Sequence, residues 1–336
     1  MQLTKRAAAG GALALAASAA LAQRVTPTTS PFSEAASVLD HVVAQGTVPW
    51  AVLLVTAPDR VLFTHAAGVE VGHVDVLRSA TKIATVTAVM TLVQSGAASL
   101  DDPVSRYVPA FRADKGDIRL RHLLAMNSGL PFSWRGFSDD TPLAQAADAI
   151  AAAPLAARPG ARFIYGNLGL TVAGRVAEVV SGQEWDQFFR RTLAEPLGLN
   201  FAYGPLDMGR LGGGGRTDAE SYGKLLRLHL NGGLHEDRRI LSQHLVQEMQ
   251  RSNGSVFVNP LVQIKPHGYG MGWWFDAVDA EGQATVISNP GAWGAYPWID
   301  LRRGYGAFLF VRKRLDEGVA IQREVQPIVE RAFRPR

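Results

Sequence analysis

The chain has 336 residues, 47% of them hydrophobic, which is enough to bury a sizeable core in one large domain or two interleaved ones. The formal net charge is only +4, and no basic run with interleaved aromatic residues occurs, so composition and charge argue against a nucleic-acid-binding protein. The chain contains no cysteine, which excludes disulfides, thiolate zinc sites, cysteine nucleophiles and a cysteine-linked lipid anchor.

The N-terminal segment is typical of an export signal. Lys5 and Arg6 form a basic start, residues 7–21 are apolar and small, and Ala20-Leu21-Ala22 matches a signal-peptidase site. The apolar stretch is short and rich in alanine for a membrane span, although an uncleaved anchor is the alternative. We predict a signal peptide at residues 1–22, an exposed leader at 23–32, and an exported protein, periplasmic or secreted, with no stable membrane anchor after cleavage.

After the leader, the pattern predicts a helix and a hairpin. Ser33 is placed to cap a helix over residues 33–45, along which apolar side chains form a stripe. Two strand-like runs, residues 50–56 and 60–66, flank the turn sequence Ala57-Pro58-Asp59. Residues 33–66 are therefore expected to supply one helix and two adjacent strands.

A long apolar run begins at residue 77 and reaches about residue 93. It contains no Gly or Pro and is apolar on most faces, which predicts a helix buried nearly all round. Ser79 lies in its first turn and Lys82 three residues on, so the two side chains share one face, one turn apart. Burial lowers the pKa of a lysine, and a neutral amine can take the proton of a serine hydroxyl. The unpaired N–H groups of the helix start also suit a developing oxyanion.

This Ser-x-x-Lys pattern has a plain structural alternative. A serine near a helix start is often only an N-cap, and a lysine one turn on is often solvated. The same spacing recurs at Ser221 and Lys224, where a plain helix face is the preferred interpretation. The spacing alone therefore leaves catalysis open.

Helices dominate the middle of the chain. We predict a short helix and turn at 118–129 and further helices at 139–157, 168–181, 185–193, 218–230 and 239–251. Residues 209–215 are predicted to form a glycine-rich turn, and they are not a phosphate cradle because no Gly-Lys-Ser/Thr follows.

The hydrophobic pattern changes period in the last quarter of the chain. Strands are predicted at 270–275, 283–288, 296–301 and 304–311, followed by a helix at 317–333 that Pro327 is expected to kink.

Strands at both ends with helices between them predict an α+β, three-layer fold. Its antiparallel sheet would come from both chain ends, flanked by the N- and C-terminal helices, with a mostly helical region inserted. We expect one domain over residues 33–336, with the sheet part at about 33–75 and 265–336 and the helical part at about 79–255. The helix of Ser79 would start at their junction, where clefts commonly bind ligands.

Several stretches, in order, resemble the serine β-lactamase and penicillin-binding-protein superfamily. The likeness is strongest to the branch of class C β-lactamases, D-alanyl-D-alanine carboxypeptidases and family VIII esterases, and it covers about residues 33–315. The matching stretches are Ser79-Ala80-Thr81-Lys82, Leu100-Asp101-Asp102-Pro103-Val104, Arg121-His122-Leu123-Leu124, Asn127-Ser128-Gly129-Leu130, Tyr165-Gly166-Asn167, Glu195-Pro196-Leu197-Gly198-Leu199, Gly212–Gly215, and Asn289-Pro290-Gly291-Ala292 followed by Trp293-Gly294. This combination is far more specific than any single motif.

The resemblance implies an acyl-enzyme serine hydrolase and assigns a role to each matching residue. Ser79 would be the nucleophile, Lys82 its activating base or proton relay, and Tyr165 the proton shuttle, although sequence leaves open which of the last two is the base. Asn167 would orient Lys82 and the substrate. The backbone N–H groups of Ser79 and Ala292 would form the oxyanion hole.

The third motif departs from the family pattern. The family usually has Lys or His where this chain has Asn289, two residues before Gly291, so we expect these two residues to orient substrate without a cation. An uncharged amide cannot supply a positive partner for a substrate carboxylate. This departure favours neutral esters and amides over β-lactams and D-Ala-terminal peptides.

We therefore predict an exported serine hydrolase that acts through an acyl-enzyme on Ser79, on small esters or amides including β-lactams, with no metal or other cofactor. The alternatives are a D-alanyl-D-alanine carboxypeptidase or other peptidoglycan peptidase, and a ligand-binding protein of the same fold without turnover. An α/β-hydrolase is disfavoured because no Gly-x-Ser-x-Gly occurs, and a zinc hydrolase because the eight histidines are scattered without a His-Glu-x-x-His motif. Small-molecule or cell-wall peptide substrates are the expected partners, and nucleic acid is not.

Overall fold

The computed structural model of the protein describes residues 30–204, 209–260 and 263–333. The predicted signal peptide at 1–22 and most of the predicted leader lie outside these ranges, so both stay predictions. None of the described helices is both long enough and apolar enough to span a bilayer.

The strands of the described residues, in chain order, are β1 (Ala51–Thr56), β2 (Val61–Ala67), β3 (Asp75–Val76), β4 (Phe201–Tyr203), β5 (Gly215–Thr217), β6 (Leu234–His235), β7 (Arg238–Arg239), β8 (Gly268–Tyr269), β9 (Trp274–Val278), β10 (Ala284–Ser288), β11 (Tyr296–Asp300) and β12 (Tyr305–Val311). The helices are α1 (Ser33–Ala44), α2 (Thr81–Gln94), α3 (Leu120–Leu124), α4 (Leu143–Ala151), α5 (Leu168–Ser181), α6 (Trp185–Phe189), α7 (Glu195–Leu197), α8 (Arg210–Gly213), α9 (Ala219–Leu230), α10 (Gln243–Met249) and α11 (Leu315–Arg331).

The main sheet joins the two ends of the described chain. Its strand order is β2-β1-β12-β11-β10-β9-β8, and every neighbouring pair is antiparallel. Strand β1 pairs with β12 from Ala51 opposite Val311 to Thr56 opposite Gly306. All residues of both strands are buried, because helices cover the sheet on both sides. The predicted sheet from both chain ends is therefore confirmed.

Helices pack on the two faces of this sheet. Tyr305 and Phe308 lie three residues apart on β12, so their side chains point to opposite faces. Phe308 stacks on Tyr222 of α9, with ring centroids 4.2 Å apart. Tyr305 stacks on Phe333, just after α11, at 4.4 Å. The result is the predicted three-layer α+β arrangement, with the terminal helices on one face and the helical region on the other.

A second, small sheet was not predicted. It has the order β3-β5-β4, so Thr217 of β5 lies opposite Asp75 on one side and Phe201 on the other. Each of these strand pairs extends over only two or three residues. Strands this short carry no readable alternation in the sequence. This sheet is nevertheless what ties the segment before Ser79 to the glycine-rich region 212–215.

Several predicted boundaries were wrong. The predicted helix 139–157 is shorter, because α4 begins after Pro142 and ends at Ala151, and the predicted helix 239–251 narrows to α10. The predicted strand 270–275 begins later, as β9 at Trp274. The glycine-rich turn 209–215 instead contains the short helix α8 and the start of β5.

The start of the domain also differs from the prediction. Phe32, assigned to the exposed leader, is buried and packs against Phe63 at 5.3 Å between ring centroids. Ser33 is the first residue of α1 rather than its N-cap, which is Phe32. An aromatic residue at this boundary is buried because α1 lies across β2, a tertiary contact that local sequence does not reveal.

Candidate active site

Ser79 lies in a tight turn at the junction of the two parts of the fold. The turn Arg78–Ala80 is a single 3₁₀ turn that leads directly into α2. Two bonds fix its position against β5: Leu77 N–H donates to the Gly215 carbonyl at 2.8 Å, and Gly215 N–H donates to Thr81 Oγ1 at 2.9 Å. Arg78 has a φ of 52°, in the left-handed region that non-glycine residues seldom occupy. Such strain next to a reactive residue is typical of functional sites.

Lys82 is brought against Ser79 and two distant groups. Its Nζ lies 3.3 Å from Ser79 Oγ, 2.8 Å from Asn167 Oδ1 and 2.7 Å from the Gly212 carbonyl oxygen. The side chain is 1% exposed. Burial, helped by the positive charge of Arg78, lowers the pKa of Lys82 from 10.5 to about 7. Near neutral pH this amine can therefore exist in its neutral form and accept a proton from a hydroxyl.

Tyr165 also lies close to the Lys82 amine. Lys82 Nζ is 4.9 Å from the centroid of the Tyr165 ring. Within the part of the chain that the structure describes, the buried Tyr165 hydroxyl has no hydrogen-bond partner of standard geometry. Burial raises the pKa of Tyr165 to about 12, and the neighbouring Ser79 hydroxyl opposes part of that rise. The phenol therefore keeps its proton at neutral pH and can deliver it to a leaving group.

Asn167 and the glycine-rich region fix the position of the Lys82 amine through hydrogen bonds. Asn167 precedes α5, and its Oδ1 accepts from the lysine. A Cβ atom at Gly212 would lie 2.2 Å from that same Oδ1, and one at Gly209 would lie 2.7 Å from the Cβ of Asn167. Glycine is therefore required for this close approach. The role of the Gly212 carbonyl was not predicted, although the run of glycines was its signal.

The third predicted motif adjoins the turn that carries Ser79. A Cβ atom at Gly291 would lie 2.0 Å from the Leu77 carbonyl oxygen, so the backbones of the two segments touch. Ala292, the next residue, is exposed. The structure thus brings the 289–292 segment to the turn that carries Ser79, and the oxyanion role of the Ser79 and Ala292 N–H groups stays a prediction.

Asn289 lies in a different environment from the one expected for a substrate contact. Its side chain is fully buried, and its Nδ2 donates to the Gly272 carbonyl. It is not among the described residues that line the cavity in front of Ser79. The substrate-orienting role of Asn289 stays a prediction. In the structure Asn289, just after β10, donates a buried hydrogen bond to the turn between β8 and β9.

Trp293 connects the two sides of the site through two arginines. The guanidinium carbon of Arg78 lies 4.5 Å from the Trp293 ring centroid, and that of Arg312 lies 3.9 Å from it. Arg312 also binds both oxygens of Asp75 at 2.6 and 2.7 Å. Both of these bonds come from Arg312 Nη1, and such charge-assisted hydrogen bonds, together with the cation–π contacts, fix side-chain orientation. This cluster was not predicted, because its two halves, residues 75–78 and 293–312, lie more than 200 residues apart in the chain.

A cavity of about 210 Å³ opens in front of Ser79. Ser79, Tyr165 and Asn167 lie on its wall together with an aromatic segment at residues 132–137. Among the described residues that line it, none carries a positive charge. A neighbouring cavity of about 360 Å³ shares part of this wall, including Asp139 and Gly209. Within the described ranges, no group of His, Asp and Glu side chains could hold a metal ion.

Comparison with known proteins identifies relatives of this chain. The beta-lactamase family model matches residues 35–326. Penicillin-binding protein 4 of Amycolatopsis lactamdurans is 33% identical over 129 residues, 36% of this chain and 34% of that protein. Esterase EstB of Burkholderia gladioli is 31% identical over 193 residues, 48% of this chain and 49% of the esterase. The matches span about half or less of the length of these curated relatives.

Solved structures share the fold over nearly their whole length. A protein from Bacteroides dorei DSM 17855 superposes with a TM-score of 0.81 at 30% identity, covering 89% of this chain and 98% of its own. EstCE1, a hydrolase with promiscuous acyltransferase activity, gives a TM-score of 0.73 at 20% identity, covering 90% and 99%. The second likeness bears on the fold alone.

Proposed function

Since this chain belongs to the beta-lactamase family, we propose that it is a serine hydrolase that cleaves uncharged esters or small amides through an acyl-enzyme on Ser79. One observation carries the proposal. The buried amine of Lys82 lies 3.3 Å from Ser79 Oγ and is held there by Asn167 and the Gly212 carbonyl. A serine hydroxyl against a neutralised amine is the arrangement of an activated nucleophile.

In the proposed reaction Lys82, whose pKa is lowered, accepts a proton, and Tyr165, whose pKa is raised, donates one. Neutral Lys82 takes the proton of Ser79 as its Oγ attacks the carbonyl carbon, and the N–H groups of Ser79 and Ala292 stabilise the oxyanion. Tyr165, which keeps its proton at neutral pH, protonates the leaving alcohol or amine and is reprotonated from Lys82. A water molecule then attacks the acyl-enzyme and gives a proton to neutral Lys82, which passes it to Ser79 Oγ as the acyl–oxygen bond breaks, so the free acid leaves and Ser79 is restored. On this assignment Lys82 is the base and Tyr165 the proton donor.

The preference for uncharged substrates follows from the walls of the cavity. A substrate carboxylate needs a cationic or multiply hydrogen-bonding partner when it leaves water. No described residue that lines the cavity is cationic, and Asn289 is buried away from it. Esters therefore fit this cavity better than β-lactams or D-Ala-terminal peptides, whose carboxylates would find no cationic partner among the described residues that line it.

Two further parts of the proposal rest on other observations. The resemblance to penicillin-binding protein 4 of Amycolatopsis lactamdurans makes a peptidoglycan peptide the second candidate substrate.

The basic, apolar and Ala-x-Ala pattern of residues 1–22 supports export to the periplasm or medium.

The test measures hydrolysis of p-nitrophenyl butyrate and of a chromogenic cephalosporin, with the wild type and the Ser79→Ala and Lys82→Arg variants. We expect ester hydrolysis that both substitutions abolish, because a guanidinium stays protonated and cannot act as base. The controls are Ser95→Ala, at the C-cap of α2, and Lys224→Arg, in the second Ser-x-x-Lys; both are expected to keep full activity.

Each other result contradicts a defined part of the proposal. Turnover retained in Ser79→Ala would remove the nucleophile assignment, and turnover retained in Lys82→Arg would remove the neutral-amine role. Faster hydrolysis of the cephalosporin than of the ester would refute the charge argument. A protein that hydrolyses neither substrate would favour the peptide substrate or the ligand-binding alternative.

A further inference from the structure

Two large aromatic side chains are exposed beside Ser79. Phe132 is 59% exposed and Trp134 is 37% exposed, on a segment that forms neither helix nor strand. Exposed apolar surface costs about 25 cal/mol per Å², and exposed apolar patches next to a cleft mark binding sites. Both side chains line the 210 Å³ cavity that Ser79 opens into, together with Phe137 and Leu168.

The segment that carries these aromatic residues is fixed at several points. A Cβ atom at Gly129 would lie 2.1 Å from the Ala157 carbonyl oxygen, so the backbones touch before the segment. A Cβ atom at Gly166, the residue between Tyr165 and Asn167, would lie 3.0 Å from the Phe132 carbonyl oxygen. After the segment, Gly209 N–H donates to Asp139 Oδ1 at 2.8 Å. The aromatic rings are therefore held at the rim by backbone contacts to the catalytic region itself.

The end of this cavity that adjoins the second cavity is acidic. Asp139 lines both cavities, and its second oxygen is buried without a hydrogen-bond partner among the described residues. The adjoining 360 Å³ cavity is also lined by Asp140, Glu178, Glu184 and Asp186. Glu178 is paired with Arg175, and Asp186 is paired with Arg210, the only cationic residue that lines this cavity within the described ranges. A negatively charged group at this end would meet like charges in a partly desolvated space.

We propose that Phe132, Trp134 and Phe137 bind the acyl group of the substrate, and that this group is apolar, of medium length and without a terminal carboxylate. Arg135, in the same segment, does not line the cavity. The inference rests on the proposed function, since it takes the carbonyl carbon to lie at Ser79 Oγ. At roughly 30 Å³ per water-sized group, the 210 Å³ cavity holds about seven such groups. Acyl groups from hexanoyl to octanoyl match that space, and acetyl leaves most of it empty.

The first experiment compares kcat/KM for p-nitrophenyl acetate, p-nitrophenyl octanoate and the mono-p-nitrophenyl ester of adipic acid, whose acyl chain ends in a carboxylate. We expect the wild type to prefer octanoate to acetate and to discriminate against the adipate ester. In Trp134→Ser and Phe132→Ser the octanoate-to-acetate ratio should fall about tenfold, because lost apolar contact affects only the long chain. Asp139→Asn should raise the rate on the adipate ester relative to octanoate.

The matched control is Val179→Ser, which removes an exposed apolar side chain from α5 that lines neither cavity. It should leave the octanoate-to-acetate ratio unchanged. An unchanged ratio in both aromatic variants, or an equal fall for both esters, would overturn the acyl-binding role. An unaltered adipate rate in Asp139→Asn would overturn the exclusion of carboxylates.

A binding measurement separates this inference from the proposed hydrolysis. Calorimetric titration of Ser79→Ala with octanamide and acetamide needs no turnover. Octanamide should bind at least about tenfold more tightly, and Trp134→Ser in the same background should remove that preference. Binding without hydrolysis by the wild type would sustain the acyl pocket and overturn the proposed function. Ser79-dependent hydrolysis without a chain-length preference in rate or binding would support the proposed function and overturn the acyl pocket.

Discussion

The buried charge of Lys82 should make the stability of this protein depend on pH in a defined direction. Replacing it by methionine, Lys82→Met, keeps the length and removes the charge. The folded-state pKa of about 7 lies below the ordinary value of 10.5, so the folded protein binds fewer protons than the unfolded chain at intermediate pH. The free energy of unfolding of the wild type, as far as Lys82 contributes to it, therefore rises as pH increases from 7 towards 10.5. Below pH 7 the full cost of burying the charged Lys82 applies.

The size of the effect follows from the shift. A change of about 3.5 pKa units corresponds to about 5 kcal/mol at low pH, and about half of this is recovered between pH 7 and pH 9. Methionine loses the hydrogen bonds to Asn167 Oδ1 and the Gly212 carbonyl, at about 1–3 kcal/mol for each acceptor left unpaired. Because those losses are the same at both pH values, the methionine variant should lose about 2 kcal/mol relative to wild type between pH 7 and pH 9.

The assay is urea unfolding followed by tryptophan fluorescence at pH 7 and pH 9 for both proteins. Subtracting one protein from the other cancels the other titrating groups. Lys224→Met is the control, because Lys224 is partly exposed and reaches the Gly198 carbonyl, and its difference from wild type should stay constant. A difference for Lys82→Met that is also constant, or that changes in favour of methionine at high pH, would refute the reasoning that burial depresses the pKa of Lys82.

Three other substitutions test the geometry around the nucleophile. Gly291→Ala would press a Cβ atom onto the Leu77 carbonyl oxygen, so thermal unfolding should show a loss of about 1–3 kcal/mol together with a lower kcat; a variant as stable and active as wild type would contradict the contact. Asn289→Ala should cost about 1–3 kcal/mol in urea unfolding for its lost buried hydrogen bond, without altering the relative rates on charged and uncharged substrates; an altered preference would return Asn289 to the substrate site. Arg78→Gly removes a positive charge that depresses the pKa of Lys82, so the acid limb of the kcat/KM profile should move to higher pH, and an unmoved limb would show that burial acts alone.

The elements that the sequence predicted well are those whose pattern is long and self-contained. The helix predicted at 168–181 has those bounds in the structure, as α5, and Gly182 follows it in the left-handed conformation typical of a helix end. The helix predicted at 218–230 is α9, with Asp218 as its N-cap. In both, a sustained period of 3.6 residues and a clear stop signal agree with the packing that the fold provides.

The elements that the sequence missed are short and depend on distant partners. Strands β3, β4 and β5 have two or three residues each, and their pairing is decided by which segments meet in space. The same holds for α8, which lies where a glycine-rich turn was predicted. Local propensity over three or four residues is too small to outweigh the tertiary contacts of such segments.

For the site, the amino-acid sequence was enough to predict the chemistry of single residues and one local geometry. A serine and a lysine three residues apart in a helical segment share a face, so the approach of Ser79 to Lys82 follows from the helix period. What that approach can do depends on segments that the fold brings to it. Asn167 and Gly212 lie 85 and 130 residues after Lys82, yet both accept hydrogen bonds from its amine. Because enclosure by such distant segments removes water from the amine, the depressed pKa that makes Lys82 a usable base is a property of the fold and not of the motif.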